Sequence, residues 1–203
     1  MIHEPDVAFT DLGLAILAAF LGWRLRAGAG AVVMAGLASA ALWGGIFHGF
    51  FPARTATRSG FVVWILVALS IVVVAATLLD LALRVLAPRL PPAARRWIVA
   101  VYGAGSAGLV LFVDESFATV VRFYGPALAL ALVAAVQQAV RTRSAGWAFL
   151  VLGFTVSAGA ALLQQAGVGI HPRYFNHNAV YHVLQGIALV LLYGGFRLEP
   201  RQG

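Results

Sequence analysis

Residues 61–79, FVVWILVALSIVVVAATLL, run nineteen positions without a charged side chain. At a rise of about 1.5 Å per residue, a helix of that length crosses the roughly 30 Å hydrocarbon layer of a bilayer. The apolar run continues to residue 86, long enough to require tilt. Six further stretches of similar character lie on either side of it, over residues 7–23, 31–51, 97–113, 117–140, 147–168 and 178–196. The fifth segment in chain order contains Gly125-Pro126, which predicts a kink there, or a helix that starts there after an interfacial piece. The connections are short, as over residues 52–60 and 141–146, which makes consecutive helices antiparallel neighbours. The sequence therefore predicts an all-α fold, an integral membrane bundle of seven transmembrane helices, forming a single domain over residues 1–203.

Composition points the same way. Hydrophobic residues make up 62% of the chain and charged residues 10%, with a mean hydropathy of +0.91. A soluble domain carries about 25% charged residues, and a soluble fold of this size has no surface for so much Leu, Val, Ala and Phe. The net charge of +7 is explained by topology rather than by nucleic acid, because the arginines fall between apolar segments. All the basic residues are Arg, so Schiff-base chemistry through Lys is excluded. With no Cys, thiolate ligands and thiol nucleophiles are excluded too. The acidic start, Glu4-Pro5-Asp6, lacks the basic region of a signal peptide, so the first segment is expected to be retained.

Arg24, Arg26, Arg84, Arg89, Arg95, Arg96, Arg141, Arg143, Arg197 and Arg201 fall on one side of a seven-span bundle. Arg54, Arg58, Arg122 and Arg173 fall on the other. Ten against four places the N-terminus outside and the C-terminus in the cytoplasm. Arg without Lys beside abundant Ala and Gly resembles a high-GC bacterial composition, hence a bacterial inner (plasma) membrane.

The remaining polar residues gather at the outer face. His48 lies near the outer end of the second segment and Asp11 one turn into the first. His177 stands at the mouth of the seventh, with His182 a turn inside, and Asp114 closes the fourth. Glu4, Asp6 and Glu115 share that side, as do Gln164 and Gln165. Ionisable groups inside a membrane are costly and face the bundle interior, where they pair or bind something. Asn178, His182 and Gln185 follow an i, i+4, i+7 stripe and share one helix face. His177 lies about 140° from His182 on an ideal helix, so the two meet one metal only if His177 belongs to the cap. Three neutral imidazoles (His48, His177 and His182) with an open water position suit catalytic zinc. A lone His in a membrane helix is more often a packing group; it is the shared depth of three that favours a site. Asp11 or Asp114 is then a candidate general base, or orients a ligand His. Glu4, Asn178 and Gln185 complete the polar set.

Other features read as structural. His3 and His171 are loop residues, and Asp80 and Arg84 form an i, i+4 ion pair at the inner end. Asp114, Glu115 and Arg122 surround a tight turn. Trp23, Trp97 and Trp147 are interface anchors. The small-residue run 103–108, GAGSAG, suits close helix packing rather than a phosphate loop.

Gly45-Ile46-Phe47-His48-Gly49, ending the second segment, and Phe175-Asn176-His177-Asn178-Ala179-Val180-Tyr181-His182, opening the seventh, resemble the CREST superfamily. This group includes the alkaline ceramidases and the progestin and adipoQ receptors. The acidic stretch from Glu4 to Asp11 also looks like the first-helix start of the ceramidases. The resemblance implies a seven-helix hydrolase with zinc held by one His of helix two and two of helix seven. The chain departs from that pattern at three places. Gly44 stands where a Ser is usual, Arg58-Ser59-Gly60 stand where an Asp is expected, and Asn178 takes the place of the first His of the usual HxxxH. The function so implied is zinc-dependent hydrolysis of a membrane lipid amide or ester at the outer side. The alternatives are a non-enzymatic transporter or receptor with a polar outer vestibule, and a scaffold subunit whose buried polar groups hold helices together.

Overall fold

A computed structural model describes residues 2–171 and 174–199. The arginines at 173 and 201 that entered the charge count lie outside the described residues, as does the side chain of Arg54. The described chain is helical, with α1 Pro5–Leu25, α2 Ala29–Phe50, α3 Arg58–Leu86, α4 Pro92–Phe112, α5 Phe117–Thr142, α6 Ala145–Gln165 and α7 His177–Leu198. A 3₁₀ turn at Arg54–Ala56 leads into α3, and an isolated β-bridge between His171 and Phe175 precedes α7.

Local chemistry sets the helix ends. Thr57, Ser116 and Ser144 each accept a backbone N–H from the first turn of the helix they precede, α3, α5 and α6, as N-cap hydroxyls do. Asn176 caps α7 by accepting from the N–H groups of Asn178 and Ala179. Proline occupies the first turn of α1 and of α4, where its missing N–H is not needed. α5 runs unbroken from Phe117 through Pro126, so Pro126 neither starts nor ends a helix.

Six helices, α1, α2, α3, α5, α6 and α7, are long and apolar enough to cross a membrane. They pack as a closed ring, α1 on α2, α2 on α3, α3 on α5, α5 on α6, α6 on α7 and α7 back on α1. α4 is not among the six. It leans on the outside of α3 and touches α5 little, and only Ser106 and Val110 of it are buried. Its arginines and small residues lower its hydropathy. Tyr102 ties it to the carbonyl of Phe123. At its start, Arg95 Nε lies 2.9 Å from Asp80 Oδ1, while Arg84 Nε is 2.8 Å from Asp80 Oδ2. The expected i, i+4 pair is therefore present, and a second arginine joins it.

The core inside the ring is aliphatic, with Met34, Val74, Leu78, Leu150, Phe154 and Leu189 almost fully enclosed. The outward faces carry Ile16, Phe20, Val62, Val73, Leu152 and Ile187. Apolar residues on both faces of most helices mark a protein solvated by lipid.

Candidate functional site

At the end of the bundle where α1 and α7 begin and α2 finishes, two buried side chains from different helices face each other. Asp11 of α1 is 4% exposed and His182 of α7 is 9% exposed. Asp11 Oδ1 stands 3.2 Å from His182 Nε2. The other ring nitrogen, Nδ1, is 3.0 Å from Thr10 Oγ1. The Thr10 hydroxyl lies 2.8 Å from the carbonyl of Asp6 and 3.0 Å from that of Val7, the usual back-bond of a helical threonine. A hydroxyl has one proton. The direction of the Thr10–Nδ1 bond sets the tautomer. With Nδ1 accepting from Thr10, Nε2–H donates to the Asp11 carboxylate. With Nδ1–H donating, the space between Nε2 and Oδ1 takes a proton or a metal ion.

His48, in the last turn of α2, has its own carboxylate: Glu4 Oε2 meets His48 Nδ1. The backbone holds this contact in place. The N–H of His3 donates to the carbonyl of Gly49 at 3.0 Å and that of Glu4 to the carbonyl of His48 at 3.3 Å, so the segment before α1 lies along the end of α2. On the other side, the N–H of Asn176 donates to Asp6 Oδ2 at 3.1 Å, fixing the start of α7 against α1. His48 thus carries an orienting carboxylate, and no hydrogen bond to its Nε2 is made among the described residues.

His48, His182 and Asp11 line one cavity of about 280 Å³. Asn178, Gln164 and Gln185 add amides to its wall, and Leu37, Phe47, Trp64 and Ile71 supply much of the apolar remainder. Gln164 Nε2 donates to Asn178 Oδ1 at 2.9 Å. Ser157 Oγ donates to Gln185 Oε1 at 2.9 Å, leaving the amide N–H₂ of Gln185 as a donor. Gly44 also lines the cavity, and a Cβ built there would stand 2.9 Å from Asp11 Oδ2. The absent side chain at 44 is what gives the Asp11 carboxylate its room. His182 also reaches a second, outward groove of about 260 Å³ between α1 and α7, together with Thr10, Gly13, Leu14, Leu17, Val183 and Gly186.

Three residues of the sequence-based set do not line this cavity: Glu4, which stands behind His48, His177 and Asp114. His177 is the first residue of α7, half-buried, and is turned away from His182 by the five-residue spacing. Asp114 instead organises the α4–α5 turn. It accepts from the hydroxyls of Thr119 and Ser116 and from the N–H of Ser116, with Arg122 3.9 Å away. The Thr119 bond, then those to Ser116, hold its carboxyl below the usual carboxylate range, since each stabilises the charged form. Among the described residues, no three His, Asp or Glu side chains converge as a metal-binding group. Sequence reasoning missed Thr10, Ser157 and Trp64. Trp64 Nε1 donates to the carbonyl of Glu115, which joins the α4–α5 turn to the cavity wall.

A family model described as a family of unknown function (DUF6962) matches residues 7–200, nearly the whole chain. No curated protein and no solved structure matches the chain.

Proposed function

The chain belongs to the family of unknown function DUF6962, and we propose that it is a membrane-embedded, zinc-dependent hydrolase of a lipid amide or ester. In this reading all seven helices span a bacterial inner membrane, with the site at the outer side and the C-terminus in the cytoplasm. One observation carries the proposal: the 3.2 Å approach of Asp11 Oδ1 and His182 Nε2, a carboxylate and an imidazole facing each other in a buried site. Ligands of a tetrahedral zinc at about 2.0–2.1 Å stand about 3.3 Å from one another, so the pair has the spacing of two such ligands. His48, across the same cavity, is the candidate third. Thr10 and Glu4 then act as the outer partners that fix each imidazole.

Asp11 and His182 have the spacing of two ligands of such an ion, and the donor set differs from the CREST pattern. In that pattern a Ser precedes the helix-two histidine and an Asp comes from helix three. Here the carboxylate comes from Asp11 of α1, into the room that Gly44 leaves. His177 takes no part.

Bound zinc supplies polarisation of a carbonyl and a water acidic enough to react near neutral pH. The rest falls to the chain. The Gln185 amide N–H₂ is placed to donate to a carbonyl oxygen in the cavity. Leu37, Phe47, Trp64 and Ile71 exclude water and hold an acyl chain. The groove between α1 and α7 gives that chain a route from the lipid to His182 without crossing the aqueous phase.

The test is elemental analysis of the purified protein, before and after zinc reconstitution, together with fatty-acid release from lipid amides and esters. The parent is expected to hold zinc and release fatty acid. His182→Ala and Asp11→Asn are expected to lose both, and His182→Gln, which keeps an amide beside Asp11, guards against a simple folding failure. Asp80→Asn, at the far end, is expected to keep metal and activity. A parent that holds no metal and cleaves no lipid overturns the reading in favour of a ligand-binding vestibule.

A further inference from the structure

The opposite end of the bundle encloses a second cavity, of about 290 Å³, between α1, α2, α3 and α7. Arg24 of α1, Arg84 of α3 and Arg197 of α7 line it. Each lies in the last turn of its helix, where a cation offsets the helix dipole. That explains each arginine singly. It does not explain why three of them surround the start of a fourth helix, where a cation is disfavoured. The cavity is also lined by Gly28, Ala29 and Gly30 at the N-terminus of α2, which has no side-chain cap. Gly30 is obligatory, since a Cβ there would overlap the ring of Phe196. The first turn of α2 is thereby pressed against α7, and its residues line the cavity.

The charges do not cancel. Arg84 is engaged by Asp80, and among the described residues the one carboxylate lining the cavity, Glu199, receives the Ser144 hydroxyl. Arg24 and Arg197 are exposed and have no ion-pair partner among the described residues. Leu25, Leu81 and Phe196 add an apolar part to the wall. Trp23, 71% exposed beside them, suits the headgroup level of a bilayer.

We infer that this cavity binds a phosphate group, that of an anionic membrane phospholipid headgroup. Arg24 and Arg197 are its bidentate donors, Arg84 adds positive potential, and the α2 N–H groups complete the cradle. Guanidinium matches phosphate in charge and fork geometry, and a helix N-terminus adds N–H donors of the right polarity. Basic pockets between membrane helices take lipid headgroups for these reasons. The apolar part of the wall receives the start of the acyl chains of a lipid, which free phosphate lacks. This inference does not depend on the hydrolase reading, because the cavity shares no residue with the other site.

The experiment compares the parent, Arg24→Gln/Arg197→Gln, and Arg89→Gln/Arg96→Gln, a pair with the same change of charge at exposed positions in and around the start of α4. Each is reconstituted in phosphatidylcholine vesicles with and without phosphatidylglycerol and unfolded thermally. Retained lipid is counted by native mass spectrometry. Phosphatidylglycerol is expected to raise the midpoint of the parent and of the Arg89/Arg96 pair and to stay bound to both. In the Arg24/Arg197 pair affinity should fall about tenfold for each guanidinium removed. Inorganic phosphate added to detergent-solubilised protein separates the sources: an equal midpoint shift assigns the site to the free anion and overturns the lipid assignment. Equal phosphatidylglycerol retention by the parent and the Arg24/Arg197 pair overturns the site itself. The single variants Arg24→Gln and Arg197→Gln give the same answer if the pair fails to fold.

Discussion

Asp11 and Gly44 occupy one space, and that relation is testable without any knowledge of substrate. A Cβ at residue 44 would stand 2.9 Å from Asp11 Oδ2, and the nearest atoms are the carboxylate itself rather than backbone. Gly44→Ser is therefore expected to cost about 1–3 kcal/mol as overpacking. The cost should shrink when Asp11 is Ala, because the clash is with the side chain that has been removed. Thermal or denaturant unfolding of the two single variants and the double variant forms the cycle. Additive losses would mean that Gly44 serves only helix packing. At this scale the sequence was partly legible. Asp11, His48, His182, Asn178 and Gln185 stood out because each interrupts an apolar run, and all five line the cavity. Thr10 and Ser157 gave no signal, since a hydroxyl in a membrane helix usually bonds its own backbone. Thr10 does that and also fixes His182. Asp114 gave a strong signal for the wrong reason: its charge organises a turn.

Among the elements, the pairing of α1 with α7 controls whether His182 meets the lipid phase. Gly13 and Gly186 line the groove there, and a Cβ at Gly13 meets nothing within 4 Å. Gly13→Leu is thus expected to fold as the parent does, since the new side chain enters open space and Gly is the poorer helix former by about 1 kcal/mol. On the hydrolase reading it should lower turnover of long-chain lipid at least several-fold. Turnover of a short-chain, water-soluble ester and zinc content should not change. Unaltered long-chain turnover would exclude the groove as the route, and loss of zinc would mean that the substitution disturbed the metal residues instead. Apolar run length located all seven helices, because hydropathy is a property of segments. It erred at helix ends: α4 begins at Pro92, ahead of the apolar start at residue 97, since Pro suits a first helical turn and does not register as apolar length. It also could not show that α4 lies outside the ring, because packing partners are set by shape rather than by hydropathy. Arg95 reaching Asp80 across fifteen positions is one of the contacts that hold α4 there, and no helical spacing announces it.

For the whole molecule, the ring arrangement makes topology decisive, because both cavities lie at helix ends and opposite ends face different compartments. The end that carries Asp11, His48 and His182 includes the N-terminal segment, the α2–α3 and α6–α7 connections, and the α4–α5 turn. The other end carries the Arg24, Arg84 and Arg197 cavity, the α3–α4 connection with Arg89, and the end of α5 with Arg141 and Arg143. Short arginine-rich connections are retained in the cytoplasm, and the anionic cytoplasmic leaflet attracts such groups further. A reporter fused after Gly203 is therefore expected to be active in the cytoplasm, and one fused before Met1 to be outside. An insertion in the α3–α4 connection should behave as the C-terminal fusion does. An outward C-terminus would reverse the compartments of both cavities while leaving their geometry intact. If α4 lies on the surface instead of spanning, the insertion after α3 and the C-terminal fusion would report opposite sides. That outcome would overturn the ring, in which α3 and α5 start at the same end and the chain returns between them through α4. That pair of fusions is the sharpest test of the fold, because it separates six spans from seven with one outcome each.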